Sequence, residues 1–193
     1  MNPTDHGRMV AVAAGDLAVM SEIYQNRRRA LFRFFFRLTG RQALAEDLVH
    51  EVFLRMIRYR HTYQAGDRAA SGGPEAFESW MYRIARNAWA DHGRKHRAET
   101  PAAEGDMEAI ESGHLSPFDN LARQQDLSLL YRALRELPDG QRELLVMARF
   151  QGLSYAQIGG IVGCETGTVK TRVFRAMKEL GNIFSDLCKE KAS

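Results

Sequence analysis

The sequence predicts an all-α protein in which two small helical domains are joined by an acidic, flexible linker. Apolar residues recur at helical spacing along most of the 193 residues, and nowhere do they show the long strict alternation of a half-buried strand. The charge distribution is equally informative. The net charge is +3, but residues 98–122 contain six acidic residues and neither Lys nor Arg, so the parts on either side are more basic than the total indicates.

The first domain is predicted over residues 16–97 and contains three helices. The first covers about 16–38 and stops at Gly40, a residue type that commonly ends helices. The second covers about 42–59. The third begins near Glu75, after a glycine-rich stretch that indicates a mobile loop, and ends in the basic run HGRKHR. Its predicted buried stripe consists of Phe77, Trp80, Met81, Ile84 and Ala88.

The linker is predicted over residues 98–120, because prolines, glycines and acidic residues replace the helical pattern there. The second domain is predicted over residues 121–185. Helical spacing resumes at Leu121 and stops at the turn formed by Pro-Asp-Gly at 138–140. Another apolar helix follows and leads into two short helical patterns, which a tight turn at Gly163 separates.

These last two patterns are typical of a helix-turn-helix. Ser154 and Gln157 form a capping box, which predicts the start of the first helix. The second helix is predicted to bury Val169, Val173, Met177 and Leu180, and to expose Thr171, Phe174, Arg175 and Lys178. Cations, a hydroxyl and an aromatic ring on one exposed face suit the DNA major groove. A solvated amphipathic helix is the alternative, but an exposed Phe indicates a partner.

Composition excludes several other classes of protein. No apolar run is long enough to cross a bilayer. Two cysteines without a CxxC pattern fit a reducing compartment, so we expect the cytoplasm. His92 and His96 have a spacing that can bind zinc, but no third ligand is evident and cations lie between them, so no metal or other cofactor is expected. The adjacent acids Glu46 and Asp47 have no nucleophile or phosphate loop beside them, and we expect no enzyme.

Separated motifs in this order resemble bacterial extracytoplasmic-function (ECF) sigma factors. They are Leu-Thr-Gly at 38–40, AEDLVHEVFLRMIRY at 45–59, FESWMYRIARNAWADHGRK at 77–95, LPDGQRELLVMARFQGLSYAQIG at 137–159 and GTVKTRVFRAMKEL at 167–180. The resemblance implies that the two domains are sigma regions 2 and 4. It also implies three partners: core RNA polymerase, through the clamp helices of its largest subunit and its flap; promoter DNA; and an inhibitory anti-sigma factor.

The resemblance assigns residues to each partner. The second helix would dock on the polymerase through Glu46, Asp47, Val49, Glu51, Phe53, Leu54 and Arg55. The minus-10 element would be contacted by Tyr63 and Gln64 in the loop, by Asn87 in a pocket for a flipped base, and by Tyr82, Arg83, Arg86 and Arg94. The minus-35 element would be contacted by Lys170, Thr171, Arg172, Phe174, Arg175 and Lys178.

Two other functions stay open at this point. A stand-alone helix-turn-helix regulator would bind a palindromic operator without polymerase. A helical adaptor that binds only proteins would have no salt-dependent affinity for DNA. For the polymerase-docking stripe and for Asn87, the ordinary alternative is a solvated helix face. Residues 1–15 and the tail after Gly181 have no assigned role.

Overall fold

Eight α-helices form the described parts of the chain. The computed structural model describes residues 4–63, 74–99 and 117–192, and these contain no β-strand. The helices are α1 (Asp5–Ala13), α2 (Met20–Thr39), α3 (Gln42–Arg58), α4 (Pro74–Glu99), α5 (Pro117–Glu136), α6 (Asp139–Leu145), α7 (Tyr155–Val162) and α8 (Thr166–Ala192). The all-α prediction is confirmed.

Several boundaries differ from the prediction. Pro117 begins α5 inside the segment predicted to be linker, which is possible because the first turn of a helix needs no N–H partner. At the other side of the linker, α4 continues to Glu99. The predicted loop contains a short 3-10 turn, Arg60–Thr62. Residues 64–73 and 100–116, which hold most of the predicted loop and linker, lie outside the described residues.

The first domain consists of α1 to α4. Its core is filled by the large side chains of Phe34, Phe35, Met56 and Phe77, each fully buried. The helix α1, to which the sequence assigned no role, begins at the N-cap Thr4 and braces this core. Its Asp5 accepts a 2.6 Å hydrogen bond from Arg27 of α2, and Arg27 also donates to Glu78 of α4 at 2.8 Å. One arginine therefore ties three helices together.

The second domain consists of α5 to α8. The predicted capping box is present: Ser154 accepts from the backbone N–H of Gln157, whose side chain accepts from the N–H of Ser154. Gly163 ends α7 with φ of +72°, a conformation that favours glycine. At Gly159 a Cβ atom would lie 2.6 Å from the carbonyl oxygen of Cys164, so only glycine lets the turn approach α7 this closely.

One feature of this domain was not predicted from the sequence. After Leu145 the chain continues as a π-helical segment, Val146–Phe150, instead of an α-helix. Such segments are rare, and apolar spacing does not reveal them, since a single extra residue leaves the hydrophobic pattern almost intact. The segment leads directly to Gln151 and Leu153, which precede α7.

The two domains pack against each other, an arrangement that the sequence did not predict. The ring of Phe36 in α2 meets Tyr131 of α5 edge to face at 5.5 Å, and the guanidinium of Arg37 lies 4.5 Å from the centre of the Phe150 ring. Arg142 of α6 donates to the carbonyl oxygen of Leu38 at 2.7 Å. We call this packing of the second domain on α2 and α4 the closed arrangement.

Candidate nucleic-acid and polymerase interfaces

The outward face of α8 is exposed as predicted. Lys170, Thr171, Arg172, Arg175 and Lys178 all face solvent, and the Phe174 side chain is 71% exposed. The exposed Phe174 ring lies among four cations. Covering the ring with another molecule would be favourable, since burying a Phe side chain is worth about 1.5–3 kcal/mol. The face therefore has the chemistry of a surface that is completed by another molecule.

Packing on the opposite side of α8 fixes the direction of this face. Val169, Val173, Ala176 and Leu180 are buried against the other helices of the domain. The sequence placed Met177 in this stripe, and that was wrong: Met177 is 40% exposed and Ala176 takes the buried position. The positions 169, 173, 176 and 180 follow the seven-residue spacing of a narrow seam, which leaves Met177 at its edge.

The exposed stripe of α3 contains only part of the predicted polymerase-docking set. Glu46 and Asp47 are exposed, and Leu54 is 62% exposed. In contrast, Val49 and Phe53 are buried and hold α3 in the core, where Phe53 lies 4.8 Å from the Tyr24 ring. These two side chains cannot touch a partner without leaving the core.

Arg55 joins α3 to α4. Its guanidinium donates to Glu51 and to Asp91 of α4, each at 2.6 Å. The hydrogen bond from Arg55 holds the pKa of the Asp91 carboxyl below its usual range, and the charge of Arg94, which also pairs with Asp91, acts in the same direction. Glu51 and Arg55 are thus partly engaged within the chain.

A cleft lies beside this ion-pair cluster. Its volume is about 440 Å³, within the range of small-ligand sites. It is lined by Arg55, Tyr59, Ile84, Arg86, Asn87, Ala90, Asp91 and Arg94. The Asn87 side chain is exposed here, with an amide that can both donate and accept. Tyr59 was missed from the sequence, although it follows Arg55 by four residues and so shares its helix face; its ring is 44% exposed.

Three other predicted minus-10 residues lie at the boundary between the domains. Tyr82 is only 4% exposed and donates a 2.6 Å hydrogen bond to the side chain of Gln151; burial raises its pKa. Arg83 donates to the carbonyl oxygen of Gly160 at 3.4 Å. Tyr82 therefore contacts the second domain rather than solvent, whereas Arg83 makes its contact while its side chain stays exposed.

Arg86 makes the third of these contacts. Its Nε lies 3.3 Å from each carboxylate oxygen of Glu143 in α6. Glu143 is buried, and the loss of hydration outweighs the attraction of Arg86, so the pKa of this carboxyl is raised. The sequence gave no sign of this pairing, because Glu143 precedes two leucines in an ordinary amphipathic helix.

Tyr63 lies at the start of the predicted loop but is 7% exposed. Its hydroxyl is 2.6 Å from Nδ1 of His6, and its ring meets Trp80 edge to face at 5.1 Å. Burial raises the pKa of Tyr63 to about 12. Trp80 is partly buried against it. Gln64 lies outside the described residues, and its assignment to the minus-10 element stays a prediction.

No group of three or more His, Cys, Asp or Glu side chains is arranged to hold a metal ion in the described part of the chain. Each helix in the described ranges is also too short or too polar to cross a lipid bilayer.

Two family models match this chain, one in each domain. Residues 23–99 match Sigma-70 region 2, and residues 127–180 match Sigma-70, region 4. The ECF RNA polymerase sigma factor BldN of Streptomyces coelicolor is 30% identical over 189 residues, a match covering 95% of this chain and 68% of BldN. The ECF RNA polymerase sigma factor SigE of Mycolicibacterium smegmatis is 31% identical over 198 residues, covering 100% of this chain and 74% of SigE.

Solved structures share the fold. The sigma factor RpoE of Bartonella quintana, in complex with the anti-sigma factor NepR, has a TM-score of 0.68 at 24% identity, covering 86% of this chain and 96% of that one. CnrH, in complex with the cytosolic domain of CnrY, has a TM-score of 0.66 at 20% identity, covering 94% and 97%. Because both family models match and two relatives are at least 30% identical over 95% or more of this chain, the chain belongs to the ECF RNA polymerase sigma factors.

Proposed function

We propose that this sigma factor docks on core RNA polymerase through the exposed stripe of α3 and reads the minus-35 element through α8. The observation that carries the proposal is the exposed face of α8, in which Phe174 lies among Lys170, Arg175 and Lys178. Arg can form two hydrogen bonds with guanine in the major groove, and an aromatic ring can contact the thymine methyl group. No sensor or adaptor role requires that combination.

The cleft beside α4 is proposed to bind a base flipped from the minus-10 element. Asn87 can recognise a base edge, and Tyr59 offers a ring for stacking. Arg94 lies at the same cleft and can pair with phosphate. Extruding a base costs a few kcal/mol, so stacking and edge recognition must return that energy.

Catalysis would then belong entirely to the polymerase, and the chain itself would be no enzyme. Opening a duplex costs about 1.4 kcal/mol per base-pair step, which two small domains cannot supply for a whole transcription bubble. We place this work in the cytoplasm, where the polymerase and the promoter are.

An anti-sigma factor is proposed as the regulator. The related fold of RpoE was solved in complex with the anti-sigma factor NepR, and that of CnrH in complex with the cytosolic domain of CnrY. The half-exposed Leu17 and the exposed Leu54 offer apolar contacts on the first domain that such a partner can cover.

Run-off transcription tests the proposal directly. Core polymerase and the full chain are combined on a template that carries the promoter of the chain's own operon. We expect a discrete transcript that requires the chain, and capture of core polymerase in a pull-down. Tight binding to a palindromic operator with no dependence on polymerase would instead support the stand-alone regulator and refute the proposal.

A further inference from the structure

Helix α1 packs against α4, the helix that contributes most of the residues of the proposed minus-10 cleft. Two adjacent residues near the N-terminus of α1, Asp5 and His6, each reach α4 through one intermediate side chain. Both connections arrive near the start of α4, at Glu78 and Trp80. The position of α1 is therefore linked to that of α4 at two neighbouring points.

The first connection begins at the Asp5 carboxylate, whose side chain is only 9% exposed. It accepts hydrogen bonds from Arg27 at 2.6 Å and from Asn26 at 2.8 Å, both in α2. Arg27 also donates to Glu78 of α4 at 2.8 Å, and its guanidinium lies 5.4 Å from the centre of the Phe77 ring. The Arg27 side chain is thereby held between α1 and α4.

The second connection is a row of three rings, those of His6, Tyr63 and Trp80. Nδ1 of His6 lies 2.6 Å from the Tyr63 hydroxyl, and the two rings meet at an angle with their centres 5.9 Å apart. Tyr63 is buried and meets Trp80 edge to face at 5.1 Å and Phe77 at 6.4 Å. A Phe at position 63 could pack its ring in the same way. The hydroxyl therefore adds the hydrogen bond to His6, the kind of partner that a buried polar group requires.

Trp80 and Asn87 lie on the same face of α4. They are seven residues apart, which corresponds to two helical turns or about 10 Å along the helix axis. Trp80 is only partly buried, and Asn87 is exposed beside the cleft. Because the intervening turns are continuous α-helix, a shift of α4 at Trp80 would also move the Asn87 amide relative to the other wall of the cleft.

Apolar packing attaches α1 to the first domain, whereas the two polar connections fix its direction. Met9 and Val12 of α1 are fully buried. Such burial is non-directional and tolerates a small rotation of the helix. A hydrogen bond weakens steeply as its angle changes, so the contacts of Asp5 and His6 select one orientation. Their main contribution is to geometry, because partly exposed ion pairs add little to the free energy of folding.

We infer that His6 of α1 is a positioning residue for the minus-10 surface: its hydrogen bond to Tyr63 holds α4 in the orientation in which Asn87 meets a flipped base. This inference rests on the proposed role of the cleft in binding that base. Tyr63, which the resemblance placed in direct contact with DNA, acts from inside the domain, through the Trp80 ring. Asp5 holds the same end of α4 and acts in the same direction.

Variants of α1 and of Tyr63 separate positioning from stability. Tyr63→Phe removes only the hydroxyl, and His6→Phe removes the nitrogen that it meets while keeping an aromatic ring. Because both remove the same hydrogen bond, the double variant should change DNA binding no more than the larger single change. Val12→Ala is the matched control, since it removes buried apolar contact from α1 and leaves both polar connections in place. It should lower the melting temperature at least as much as Tyr63→Phe.

The measurement is base recognition by the full chain bound to core polymerase. Affinity for a forked duplex with a single-stranded minus-10 segment is measured by anisotropy, with each minus-10 base removed in turn. The position at which removal weakens binding by the parent chain most is that of the flipped base. The ratio of the affinities with and without this base should be about ten for the parent chain and for Val12→Ala, and about two for Tyr63→Phe and His6→Phe.

Three results would contradict these proposals in different ways. An unchanged ratio in both Tyr63→Phe and His6→Phe would overturn the inference, and so would an equal fall of the ratio in Val12→Ala. A parent chain that loses no affinity on removal of any minus-10 base would instead refute the proposed function of the cleft. Affinity for a minus-35 duplex should be the same in every variant, because α8 and the second domain are unchanged.

Discussion

The two helices proposed to contact promoter DNA differ in how they are presented. The outward face of α8 is exposed, because its buried seam of Val169, Val173 and Ala176 is satisfied within its own domain. One side of α4 contacts the other domain: Tyr82 is buried there, and Arg83 and Arg86 make polar contacts with it while staying exposed or partly exposed. The difference shows that exposure of a binding face depends on the state of the whole chain as well as on helix amphipathicity.

The kinds of contact differ as well. Apolar packing positions α8, and such packing does not depend on the pairing of charges. Ion pairs and hydrogen bonds cover α4, and each is weak enough to exchange for a ligand. The outward face of α8 is therefore exposed throughout. On α4, Asn87 and Arg94 are also exposed, whereas Tyr82 can contact another molecule only if the domains separate.

The largest effect, on binding of core polymerase, is expected for a substitution on the exposed face of α3. Leu54→Asp places a charge where an apolar contact is proposed and should weaken binding of core polymerase by about 3 kcal/mol, roughly a hundredfold. Leu17→Asp is the matched control, because Leu17 is also exposed in the first domain but lies outside α3. Affinity is measured by fluorescence titration. Equal loss in both variants would contradict a specific docking role for Leu54.

A smaller effect tests the open face of α8 in the chain without polymerase. Arg175→Ala should weaken binding to a minus-35 duplex by about 2 kcal/mol and relax selectivity at one base pair. Arg149→Ala removes an exposed cation of the same domain outside α8 and should change affinity only slightly. If the two variants lost affinity equally for every sequence, the contact would be electrostatic and unspecific.

The smallest effect, on thermal stability, is expected at Glu143, whose buried carboxyl pairs with Arg86. Burial raises the pKa of Glu143, so the folded chain bears the cost of an ionised carboxylate at neutral pH and is relieved of it as pH falls. Glu143→Gln retains an oxygen for Arg86 and removes that charge. We expect a melting temperature about 2–4 °C higher at pH 7.5, equivalent to about 1 kcal/mol. The difference should shrink as pH falls, because the raised pKa lets the parent Glu143 take up a proton before an ordinary carboxyl does.

Asp186→Asn is the control for this measurement, because it removes a carboxylate that is exposed. Its melting temperature should follow that of the parent chain across the same pH range. A stabilisation by Glu143→Gln that persisted unchanged at pH 4 would show that packing, rather than ionisation, is responsible.

Local chemistry made much of the fold predictable. Capping at Ser154, the left-handed turn at Gly163 and the apolar stripes of α3 and α4 are encoded within a few residues, so each could be identified from spacing alone. The α8 face was predicted for the same reason. The Met177 error arose at the edge of a stripe, where a rotation of a few tens of degrees decides burial.

The contacts between distant residues could not be predicted in this way. The pairing of Arg86 with Glu143 joins residues 57 positions apart, and that of Tyr82 with Gln151 joins residues 69 apart. Neither leaves a periodic signal. Val49 and Phe53 illustrate the opposite difficulty: family resemblance assigned them to a partner surface, whereas the structure uses them to anchor α3.

The π-helical segment Val146–Phe150 has a consequence for how the halves meet. An added residue in one turn rotates everything after it by about 100° relative to an uninterrupted α-helix. That rotation brings Phe150 toward Arg37 and Gln151 toward Tyr82. The number of residues in this segment, rather than the identity of any one of them, thus sets the direction in which Phe150 and Gln151 point. Shortening it by one residue would turn both side chains away from these partners and separate the domains, while leaving the capping box at Ser154 and the turn at Gly163 intact.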